Sequence, residues 1–184
     1  MKTTVKFAHA VVEVFGPEYL REPNAQDTEK LFAVTEARGF PGMLGSIDCM
    51  HWQWKTCPKG LWGMYQGHTR EATIILEAVA SHDLWTWHAF FGMPSSHSDI
   101  NVLQRSPVSR RLCNGKSPPC NYTVNGRDYN MGYYLADSIY PQWAAFVKTI
   151  SEPRGKKQSH FATMQEVARK GVAFGVLQAR RVIV

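Results

Sequence analysis

Long apolar runs are missing from this chain. No stretch approaches the ~20 residues that a membrane span requires, so no membrane association is expected. Cysteine is scarce and unevenly placed, at Cys49, Cys57, Cys113 and Cys120, and no signal peptide opens the chain. That usage suits a reduced, intracellular protein better than a disulfide scaffold. Cys49, His51 and Cys57 lack the paired-knuckle spacing of a zinc site. Internal repeats and low-complexity tracts are absent as well. Acidic residues are in short supply: 15 Asp and Glu stand against 21 Lys and Arg, for a net charge of +6. Such an excess favours a polyanionic partner, of which nucleic acid is the commonest.

What is present can build a core. With 44% hydrophobic residues over 184 positions, the chain has one domain's worth of material. Helical spacing over 4–15 and 27–38 predicts two helices, the first stopped by Gly16-Pro17 and the second by Gly39. They read as a lead-in (1–39) to a main domain (40–184). Strands are expected over 43–54, 73–80, 84–93 and 131–137, with Ser81-His82-Asp83 as a turn. Residues 55–70 read as a loop, and 113–130 as a loop with a small hairpin at Asn125-Gly126. A helix is expected to start at Ser98 or Asp99. Pro141 suggests another over 141–150, and a last helix spans about 161–178. Three antiparallel strands, a helix and a fourth strand fit an α/β domain with an RNase H-like mixed sheet flanked by helices. A generic α+β domain fits the same pattern.

Three aspartates fall where apolar strands give out. Asp99 can simply cap a helix, and Asp137 can simply close a strand. Asp48 is harder to dismiss, because it interrupts SIDCMHW, a central strand where an unpartnered charge costs several kcal/mol. A divalent cation is a strong partner for such a carboxylate. Mg²⁺ or Mn²⁺ takes oxygen ligands, and a pair of such ions can drive in-line displacement at phosphorus.

The strings GFPGMLGSIDCMHWQWKTCP, TIILEAVASHDLWTWHAFFGMP, DINVLQRSPV, YNMGYYLADSIYPQWAAFVKTI and FGVLQAR resemble the plant PIF/Harbinger-type DDE transposases and their domesticated nuclease-like relatives. The resemblance implies an RNase H-like DNA endonuclease domain that uses Mg²⁺ or Mn²⁺. It assigns catalytic, metal-binding roles to Asp48, to Asp99 in PSSHSD and to Asp137 in ADSIYP. It further implies DNA as partner, a separate Myb/SANT-like DNA-binding protein, and the nucleus as compartment, with the cytoplasm second.

One carboxylate of that pattern is missing. The family's last acidic residue is a Glu within a motif close to Arg-Lys-Asp-Val-Glu-Arg-Ala-Phe-Gly, and here Arg169–Gly175 reads RKGVAFG. Glu166 is the nearest substitute, yet it falls about 10 Å or about 7.5 Å along the helix from the required place, depending on which end is aligned. The shortened motif also sets Met164, Val167 and Ala168 out of phase with Phe174 and Leu177. Family members usually run on for several dozen residues, so the resemblance implies a copy truncated at its C-terminus. An impaired endonuclease is the first expectation, and a non-catalytic DNA- or protein-binding module the second. Phosphate contacts fall to Lys55, Lys59, His68, Arg70, Arg154, Lys156, Lys157, Arg169, Lys170, Arg180 and Arg181. The six tryptophans are better explained by packing than by base stacking, and His51 and His88 are expected to support the core rather than act as bases.

Overall fold

A computed structural model of the protein describes residues 2–67, 70–113 and 119–170. Two helices come first, α1 (Lys2–Tyr19) and α2 (Ala25–Ala37). α1 runs through Gly16-Pro17 instead of stopping there. Pro17 forfeits one backbone donor, but its fixed φ is helical, and Leu20 N–H still reaches Gly16 C=O at 2.8 Å. α2 starts from a reciprocal cap in which Asn24 and Asp27 each accept the other's backbone N–H. Asp27, at the start of the span expected to be helical, is thus the third residue of α2. Thr35 at the far end donates to Met43 C=O at 3.2 Å and ties α2 to the first strand.

Five strands make the main sheet: β1 (Met43–Gln53), β2 (Thr73–Ala80), β3 (Thr86–Pro94), β6 (Tyr133–Ala136) and β7 (Phe146–Lys148), in the order β3-β2-β1-β6-β7. β1, β2 and β3 are successive antiparallel neighbours, whereas β6 and β7 run parallel to β1. That order and those directions are the RNase H-like arrangement. β4 (Pro119–Val124) and β5 (Arg127–Met131) form a separate hairpin turning at Asn125-Gly126. α3 (Lys59–Tyr65), α4 (Asp99–Arg105), α5 (Pro107–Cys113) and α6 (Gly155–Lys170) complete the described fold. No helix among the described residues is long and apolar enough to cross a membrane.

Three further expectations are corrected here. The segment 141–150 is not a helix: Phe146–Lys148 pairs with Tyr134–Ala136 as the edge strand β7. Long-range backbone pairing and burial of Phe146 override the helical preference of its two alanines. Residues 55–70 are not all loop, since α3 forms despite Gly60 and Gly63 and without a side-chain cap. The last helix also starts earlier than expected, at Gly155, inside what reads as a basic loop.

The core lies on both faces of the sheet. On one, Ile47, Val79, Tyr134 and Ala136 pack with Leu103 of α4 and Val108 of α5. On the other, Phe40, Met43 and Leu135 receive Ala168 of α6. Phe161, Gln165, Ala168 and Arg169 form the docked stripe of α6, at the spacing of one helical face. Phe161 tilts against Phe40, with ring centres 6.1 Å apart, and Gln165 Nε2 donates to Val147 C=O at 2.9 Å. Met164 and Val167 are exposed. Phe174 and Leu177 lie outside the described residues, so their phase against this stripe does too.

The turn into β1 needs a glycine. Gly42 has φ +80°, and a Cβ there would land on the Tyr122 ring of the hairpin. Gly42→Ala is therefore expected to lower stability by about 2 kcal/mol through backbone strain and overpacking. Urea denaturation checks it, and an unchanged midpoint would show that the hairpin moves aside at no cost.

Candidate functional site

Asp48 and Asp137 meet because β6 ends beside the middle of the parallel strand β1. The register pairs Ser46 of β1 with Leu135 of β6, so two residues further on the two aspartates stand level. Side chains alternate across a strand, which puts Asp48 on the same face as Ser46 and beneath α6. Ser46 Oγ lies 3.5 Å from Ala168 C=O of that helix. The next helical residue, Arg169, turns its guanidinium down between the carboxylates.

The resulting geometry is that of an ion pair. Arg169 Nη1 donates to Asp48 Oδ2 at 2.6 Å, and Nη2 stands 4.0 Å from Asp137 Oδ1. Arg169 is 5% exposed and the Asp48 side chain 19%, so the pair is largely out of water. Each aspartate also holds a neighbouring backbone donor: Cys49 N–H reaches Asp48 Oδ1 at 3.0 Å, and Ser138 N–H reaches Asp137 Oδ1 at 2.6 Å. Burial lifts the Asp48 carboxyl above the ordinary aspartate range. Arg169 and the Cys49 N–H pull it back in part, while the charges of Asp137 and Asp99 push with burial.

Asp99 approaches from the other face. It opens α4 just after its capping residue Ser98, and its Oδ1 lies 3.8 Å from His51 Nε2. Cys49, on the same face, donates to or accepts from the Tyr140 hydroxyl at 3.4 Å, and burial pushes its thiol far above the usual range. Glu166 is exposed on α6. Gly171 and Ala173, the two positions at which the family's last Glu would fall, lie outside the described residues. Among the described residues, no group of three or more His, Cys, Asp and Glu side chains could hold a metal ion. The described centre does not fit a bound Mg²⁺ or Mn²⁺: the guanidinium of Arg169 already occupies the place between the two carboxylates and compensates their charge.

The basic residues do not gather into one patch. Lys55, Lys59 and Arg70 are exposed beyond the carboxyl end of β1, the end toward which Asp99 and Asp137 also lie. Lys156 and Lys157 are exposed at the opposite end of α6, ~20 Å from Arg169 at helical rise. Arg169, grouped by sequence with the phosphate contacts, is turned inward. Lys170 ends α6, and His68, Arg180 and Arg181 lie outside the described residues. Of the tryptophans, Trp52 packs on Met50, Ala78 and Ala80, and Trp143 stacks on Phe146.

Sequence reasoning missed a second buried charge. Glu77 in β2 is 0% exposed, and neither of its oxygens accepts a hydrogen bond. The His88 Nε2 lies 3.4 Å from Glu77 Oε1, and that nitrogen also lies 3.0 Å from Ser106 Oγ. The signal available in the sequence was the glutamate interrupting TIILEAVA.

No curated protein and no solved structure matches this chain. A family model described as plant transposon protein matches residues 17–184. With that match, and with the order of the sheet and an aspartate in mid-β1 level with one just after β6, the chain belongs to the plant transposon protein family.

Proposed function

We propose that this chain is a transposase-derived domain, of the PIF/Harbinger DDE type, that holds DNA without cutting it. The observation that carries this reading is Arg169, whose guanidinium neutralises the aspartates that a nuclease of this kind would need for metal. The net charge of +6 and the exposed Lys55, Lys59 and Arg70 near the same sheet end support a DNA backbone as ligand. A nuclear location and a Myb/SANT-like partner follow from the family resemblance and belong to the same proposal.

A second reading, a working metal-dependent endonuclease, is favoured by the level placement of Asp48 and Asp137 on adjacent parallel strands. Plasmid nicking with Mg²⁺ or Mn²⁺ separates the two, with Asp48→Ala and Asp137→Ala as controls. The expected result is duplex binding that weakens steeply with salt and no nicking above background. Nicking that disappears in both controls would establish the endonuclease instead.

A further inference from the structure

We propose that α1 is a self-association helix, whose apolar face is covered by α1 of a second copy of this chain, running antiparallel about a two-fold axis. The surface is separate from the aspartate centre, so the proposal holds whether or not that centre cuts DNA.

The face itself is the first observation. At ~100° per residue, Val5, Phe7, Val11, Val12, Val14 and Phe15 share one half of the helix, and Lys2, Lys6, His9 and Glu13 form a stripe on the other. All six apolar side chains are between 38% and 70% exposed, and no residue of α1 is buried by the rest of the described chain. The helix is anchored at its far end, where Tyr19 stacks on Trp85 with ring centres 5.4 Å apart. An 18-residue helix with four valines and no buried residue is marginal in water, and packing of its apolar side is what stabilises such a helix. The six side chains expose on the order of 600 Å². Two such faces together remove on the order of 1,200 Å² from water, the size at which specific interfaces begin.

Charge selects the occupant and its direction. Lys2 stands in the first turn of α1 and Glu18 in the last, with no acid at the start and no base at the end, so these charges oppose the helix's own dipole. An antiparallel copy sets each Lys2 beside the other helix's carboxyl end and each Glu18 beside its amino end, which turns the mismatch into attraction. A parallel copy would set like ends together. Shape agrees with the same arrangement. With Val11 on the two-fold axis, Phe15 of one copy falls opposite Phe7 and the small Ala8 of the other, so one surface complements itself.

The test is the molar mass of the whole chain in solution, by light scattering, for wild type, Val11→Glu and His9→Gln. At about 100 µM, wild type and His9→Gln, which alters only the polar side, are expected to be dimers, and Val11→Glu to dimerise at least ~10-fold more weakly. A wild type that stays monomeric at that concentration overturns the proposal, and binding of the monomer to anionic lipid vesicles would assign the face to a membrane surface instead. A dimer that Val11→Glu leaves intact also overturns it, because the contact then lies elsewhere. If Val11→Glu unfolds α1, amide exchange in wild type decides the matter. Dilution from about 100 µM to about 1 µM should speed exchange over residues 5–15 at least ~5-fold, and rates independent of concentration overturn the proposal.

Discussion

Asp48→Ala is expected to lower stability by about 3–5 kcal/mol, because it strands a guanidinium that is 5% exposed. The lower end of that range is the better guide, since the Asp48 side chain is itself 19% exposed and water can reach part of the gap. The sign of the effect is diagnostic. In an empty metal centre, deleting one carboxylate relieves repulsion from the others and raises stability. Here Asp137 and Asp99 do repel Asp48, but Arg169 is the closer charge and its loss of a partner dominates. Urea denaturation at neutral pH measures the change, with Asp137→Ala as comparison. Asp137 is 39% exposed and 4.0 Å from the guanidinium, so its removal should cost no more than about 1 kcal/mol. A stabilised Asp48→Ala would mean that the aspartates, not Arg169, set the local electrostatics.

The raised pKa of Asp48 is compatible with that expectation. Burial costs the carboxylate more than Arg169 and the Cys49 N–H return, so the ion pair as a whole is no net source of stability. Losing one member is costly; losing both together is not. Asp48→Leu combined with Arg169→Met should recover most of the stability that Asp48→Ala loses.

Glu77→Met is expected to act in the opposite direction and raise stability by about 1–3 kcal/mol, because it removes a buried carboxyl that accepts no hydrogen bond. Glu77 lies in the centre of the sheet at 0% exposure, and its two oxygens accept no hydrogen bond. Methionine fills a similar volume and removes a carboxyl that stands 3.4 Å from His88 Nε2. His88 keeps a partner, because Ser106 Oγ remains 3.0 Å from its Nε2. The same urea titration reads the gain. A loss of more than about 1 kcal/mol would show that the Glu77–His88 contact outweighs the burial of the carboxylate.

Much of the sheet was legible because its strands obey local rules. TIILEAVA forms β2 over the residues that its apolar, β-branched run predicts, and α4 starts at the expected Ser98-Asp99 step, although Ser98 and not Asp99 is its cap. The errors share one physical origin. Phe146–Lys148 becomes a strand only because β6 lies beside it, and no window of ten residues contains that neighbour. α3 carries two glycines and lacks a capping side chain, so local propensity argues against a helix that the fold nevertheless makes. The site divides in the same way. Asp48 could be found, since a carboxylate inside an apolar strand is conspicuous on its own. Arg169 could not, because its meaning depends on a partner 121 residues away. The one available clue was spacing: Phe161, Gln165 and Ala168 define an inward stripe, and Arg169 falls at its edge.

The sheet order has a consequence for how the chain reaches this fold. β1, β2 and β3 pair with their sequence neighbours and can form as a meander once Pro94 is available. The other edge of β1 must wait for β6, whose Leu135 pairs with Ser46, and for β7 beyond it. Closing so large a loop is slow relative to hairpin formation. Until it closes, the open edge of a central apolar strand is exposed to pairing with another chain. Arg169 comes later still. The contact that neutralises Asp48 is thus among the last to form, and a folding chain carries its aspartates uncompensated until the final described helix settles.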